Sequence, residues 1–78
     1  MTTAASDDVD PAALALIERF AAALGVDAPS PTEVAELLAL AGTAAHASHR
    51  QAAPVACWLA ARAGLTPAEA LERAGELG

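Results

Sequence analysis

Two short phrases, Ser30-Pro31-Thr32-Glu33 and Thr66-Pro67-Ala68-Glu69, limit what this chain can become more than any other part of it. Each is a helix start. The hydroxyl at the N-cap can accept from the amide three residues on, while the glutamate at that position accepts from the N-cap amide, so two orphaned donors are satisfied together. Proline at the first helical position gives up nothing, because its nitrogen would have had no helical partner. Asp10-Pro11 is a third start of this kind, with aspartate as the cap. Gly25 and Gly64 supply left-handed stops. A chain punctuated in this way is committed to short helices.

Apolar spacing between the punctuation agrees. Leu14, Ile17, Phe20, Ala21 and Leu24 form a helical stripe in the first segment. Val34, Leu37, Leu38, Ala41 and Ala45 are expected to be the buried face of the second, with Leu40 off it. Gly42 in mid-helix is expected to admit a close neighbouring helix. Pro54 disfavours a helical Ala53, which puts a break just before it. The third segment carries Val55, Trp58, Leu59 and Ala63. The fourth is lined by Leu71, Ala74 and Leu77, with Leu65 packing just before its cap and Gly78 ending the chain. β-branched residues are few and never alternate, so no strand is expected. The fold class is therefore all-α, a compact bundle of four short helices over residues 10–78, preceded by a small, polar, acidic tail (1–9) expected to be disordered.

Of the 78 residues 24 are alanine, so few large side chains remain to build an interior. Such a small core is marginal, which makes docking onto another protein or dimerisation a real expectation. The charge of −6, with four arginines and no lysine, argues against nucleic acid and anionic membrane surfaces as partners. The single cysteine, Cys57, allows no intrachain disulfide and reads as a small buried hydrophobe. Residues 1–9 lack a secretion signal and no apolar run reaches membrane-spanning length, so a cytoplasmic location is expected.

The polar cluster His46, His49 and Arg50 is the chief candidate for chemistry. If the second helix continues, His46 and Arg50 share a face at i, i+4. Amides near Pro54 at the start of the next helix could complete a small anion or phosphate site. The plainer reading is that these cations cap a helix C-terminus. His46, His49 and Cys57 lack the further fixed ligand a metal site needs, so no metal or cofactor is expected. Cys57 has no oxyanion-hole loop to act with, and no glycine-rich phosphate loop exists. Glu33 with Glu36, and Glu69 with Glu72, read as solvated helix faces. A helix-turn-helix reading of residues 60–69 fails because its second helix would carry glutamates toward DNA. Trp58, the only tryptophan, is either a core residue or an exposed anchor for a partner.

The run Leu37-Leu38-Ala39-Leu40-Ala41-Gly42-Thr43-Ala44-Ala45-His46, then Arg50, Ala52-Ala53-Pro54-Val55 and Trp58-Leu59, resembles a small actinobacterial domain of unknown function. That domain is found alone or fused C-terminally to the molybdenum cofactor guanylyltransferase, which makes molybdopterin-guanine dinucleotide. The likeness covers roughly residues 11–77. Where the family often has proline after Arg50, this chain has Gln51. The transferase's own nucleotide loop is absent, so nucleotidyl transfer does not carry over.

The resemblance implies an accessory role near cofactor assembly, exercised through protein contact. The expected function is a non-catalytic interaction module, with such a transferase or a second copy as partner. His46, His49, Arg50, Pro54 and Trp58 are the candidate contacts. The alternative is a binder of nucleotide or pterin phosphate using His46 and Arg50.

Overall fold

The structure, a computed structural model, describes residues 9–76. Its helices are α1 (Pro11–Leu24), α2 (Pro31–Ala47), α3 (Ala52–Arg62) and α4 (Pro67–Gly75). No strand occurs among the described residues, so the chain is all-α. The expected disordered tail lies outside the described residues up to residue 8, as do the expectations for Leu77 and Gly78. Val9, assigned to that tail, is instead placed and buried.

The punctuation works as its chemistry requires. Asp10 Oδ1 accepts from the Ala12 amide at 2.8 Å. Ser30 and Glu33 exchange bonds of 2.9 and 3.1 Å, and Thr66 and Glu69 do the same at 2.9 and 3.1 Å. Gly25 and Gly64 take φ of 75° and 78°, where a Cβ would be strained. The amides that follow them, of Val26 and Leu65, reach back to the carbonyls of Ala21 and Ala60 at 3.0 and 3.1 Å. These bonds satisfy carbonyls that the helix ends leave orphaned.

The Thr66 backbone amide, then the Thr66 hydroxyl, hold the Glu69 carboxyl below its ordinary value of 4.5, with a smaller contribution from Arg73. A carboxyl whose folded pKa is depressed stabilises the fold above its unfolded value. That contribution is lost as pH falls through the folded one. Urea unfolding should therefore show stability falling as pH drops below the ordinary glutamate range, and Glu69→Gln should flatten that part of the profile.

The chain divides into two units, Met1–Ala35 and Glu36–Gly78. In the first, α1 buries Ala21 and half-buries Leu14 and Ile17. Phe20 and Leu24, expected inside, are 62% and 60% exposed, and Leu16 is exposed beside them. Two apolar stripes run along this helix. The one through Leu14, Ile17 and Ala21 faces inward; the one through Leu16, Phe20 and Leu24 faces out. Val34, in the first turn of α2, is buried as expected.

The second unit holds the rest of α2 with α3 and α4. Its core is Leu40, Ala70 and Ala74, against which Leu37, Cys57, Ala60, Leu65 and Leu71 pack. Leu40, expected off the buried face, is only 3% exposed, while Leu38, expected on it, is 57% exposed. Leucines at 37, 38 and 40 spread over an arc of about 160°, wider than one buried stripe, and the neighbouring alanines fit either side, so spacing alone could not set the rotation. On α3 Cys57 turns toward the interior as expected, and Trp58 takes the exposed one of its two expected places. Ala56, Cys57 and Ala60 turn inward, while Val55, Trp58 and Leu59 are all more than half exposed.

The break expected before Pro54 also moves. Helix α3 begins at Ala52, with Pro54 in its first turn, where a missing amide costs no helical bond. Ala53 becomes helical despite the proline after it, and its amide bonds to the Arg50 carbonyl at 3.1 Å.

Gly42 does not mark a close approach, since a Cβ there would meet nothing within 4 Å. Gly42→Ala should stabilise the fold by about 1 kcal/mol, the ordinary helix-interior difference, readable as a higher urea midpoint.

Candidate functional site

The helical face expected to carry both His46 and Arg50 does not form. Helix α2 ends at Ala47, so His46 and Arg50 do not share a helical face. His46 sits in the last turn and lines an open hollow of about 520 Å³ with Ala39, Gly42, Thr43, Ala47, Ala74 and Gly75. Arg50 is not part of that lining. His46 thus remains near the C-terminal carbonyls of α2, a favourable place for a cation.

His49 and Arg50 occupy the connection to α3, and their backbone closes its start. The Ala52 amide donates to the His49 carbonyl at 2.8 Å and the Ala53 amide to the Arg50 carbonyl. The Gln51 amide donates to His49 Nδ1 at 3.1 Å, a bond that a proline at this position could not make. Pro54 has no amide. The donors that were expected to receive an anion are therefore engaged within the turn itself.

Cys57 is half-buried, with its Sγ 3.9 Å from the Leu37 carbonyl. Burial pushes its thiol pKa up, away from the thiolate that nucleophilic chemistry needs. Among the described residues no three His, Cys, Asp or Glu side chains gather where they could hold a metal ion. None of the helices there is long and apolar enough to cross a membrane.

What the structure does gather is apolar. Val55, Trp58 and Leu59 stand at i, i+3 and i+4 on the outer side of α3, and Trp58 is 59% exposed. The Arg62 guanidinium lies 5.2 Å from the Trp58 ring centroid, one turn further on. A cation over an indole face is worth about 0.5–1 kcal/mol at an exposed site, and the tryptophan stays mostly exposed beside it. Leu59 also lines an open apolar groove of about 280 Å³ between α2, α3 and α4. Leu40, Ala44, Ala60, Leu65 and Ala70 are among its walls, and Arg73 is its one charged lining residue.

Of the residues expected to matter, Trp58 alone belongs to this surface. Leu59, Arg62 and Arg73 join it without having been picked out. The i, i+4 spacing of Trp58 and Arg62 was the readable signal for one of them.

A family model described as a domain of unknown function (DUF6457) matches residues 8–77. No curated protein matches the chain, and no solved structure does.

Proposed function

The chain belongs to the DUF6457 domain family, and from there we propose that it is a non-catalytic protein-interaction module whose docking surface is the outer face of α3. The observation that carries this reading is the exposure of Trp58 together with Val55 and Leu59. A domain this short of large apolar residues sets three of them outward on one helix, where they do little for its interior. Exposed apolar clusters of this kind mark contact surfaces, and tryptophan is prominent among residues that dominate binding energy.

The partner is a protein of molybdenum-cofactor biosynthesis, with the guanylyltransferase first, and the setting is cytoplasmic. The likeness carried by His46, Arg50, Ala52-Ala53-Pro54 and Trp58 supports that choice. The test is direct titration of the purified transferase into this protein while following Trp58 emission. Docking shifts the emission to the blue and shields it from a soluble quencher. An unshifted, fully quenchable Trp58 at saturating transferase would remove that partner.

A further inference from the structure

We infer that the segment which docks on the outer face of α3 is an acidic amphipathic helix. This rests on the reading of that face as the docking surface, and it names the chemistry of the occupant.

Charge distribution makes the case. Although the chain carries ten acidic residues against four arginines, none of the acids falls between Leu37 and Ala68. That interval contains all of α3, both its flanking turns and most of α2. Arg50 stands in the turn before α3 and Arg62 lies on Trp58. Arg73 lines the groove that Leu59 shares. Arg62 and Arg73 thus border one apolar surface of a strongly acidic protein. They are not used up internally, since none of the side-chain hydrogen bonds among the described residues involves an arginine. Glu69, which shares a helix face with Arg73, has its carboxylate engaged by the Thr66 amide. An apolar surface rimmed by cations favours apolar side chains flanked by carboxylates. It also disfavours wrong partners by like-charge repulsion.

The backbone argues for a helix. A peptide buried against this surface must have its own amides and carbonyls satisfied. Among the described residues no strand edge exists to pair with an extended segment, so strand addition is closed. Polyproline segments dock in aromatic-lined grooves, and this surface has a single aromatic. A helix satisfies its own backbone and presents side chains at i, i+4 and i+7. These spacings suit the exposed row of Val55, Trp58 and Leu59 and the groove that Leu59 lines.

The experiment is a titration of the full chain, followed by Trp58 emission, with two synthetic helix-forming peptides. Both carry leucines at i, i+4 and i+7; one has glutamates on the flanks and the other lysines. The glutamate peptide should bind at least about ten-fold more tightly at low salt, a gap of about 1.4 kcal/mol, and added salt should narrow it. Arg62→Glu should reverse the preference.

Equal affinities, a lysine preference, or no binding by either peptide would overturn the inference. So would a concentration-dependent dimer that shields Trp58 without any peptide, since the occupant would then be a second copy. In all these cases the docking reading is judged separately, by whether the transferase shields Trp58. Unchanged binding of the glutamate peptide to Trp58→Ala, read by calorimetry because the variant has no tryptophan, would instead count against the surface itself, and both proposals would fall.

Discussion

Leu40→Ala is expected to cost about 3 kcal/mol of stability, within the 2–5 kcal/mol that truncating a buried leucine removes. The site has little means of softening the loss. Leu40 is 3% exposed; the buried alanines beside it, Ala70 and Ala74, cannot swing into the space left behind, so only the partly buried Leu37, Leu65 and Leu71 around them can relax toward it. A small domain has about 5 kcal/mol to lose, so the variant should keep only about 2 kcal/mol, staying mostly folded at room temperature but melting well below the parent. Its urea midpoint should fall by about 2 M or more, taking a slope near 1–1.5 kcal/mol/M for a chain of this size. The comparison is Leu38→Ala, two positions back and 57% exposed, which should change stability by less than about 0.5 kcal/mol. Comparable losses at both positions would mean that α2 is rotated differently from the arrangement described.

That pair marks where sequence reasoning was sufficient and where it ran out. Helix existence was legible because it rests on local chemistry. Proline before a capping glutamate, and glycine with positive φ, act within four or five residues and mean the same thing in any context. Helix rotation was not legible, because it depends on which side meets the rest of the unit. Alanine methyls leave that open, and leucines on both flanks of α2 and α1 offered two apolar stripes where the spacing argument needs one. Tertiary packing chose Leu40 over Leu38, and Ala56 and Ala60 over Val55 and Leu59. The candidate site was legible only through Trp58. The His46 and Arg50 pairing failed for a boundary reason: it needed one more turn of α2, and the chain leaves the helix after Ala47.

Trp58→Ala should separate binding from folding. The side chain is mostly in solvent, and its described aromatic contact is the Arg62 guanidinium. Removing it should lower stability by no more than about 1 kcal/mol, the scale of one exposed cation–π contact. At the docking surface the same change should weaken binding about thirty-fold or more, since truncating a dominant interface tryptophan costs about 2 kcal/mol or more. Thermal melting and calorimetric titration, run on the same preparation, report the two quantities. A melting temperature that collapses along with binding would make Trp58 a support of the fold and would withdraw α3 as the contact face. A modest drop in melting with a large drop in affinity is the expected result.

The methyl-sized interior has an evolutionary consequence. Bulk is tolerated poorly at positions 70 and 74, so the fold itself keeps those residues small. At 55, 58 and 59 the fold sets no such limit, and what keeps large apolar side chains there is the contact they make. An inventory of variation across the family should find a large apolar residue kept at position 58 although the helix does not need one.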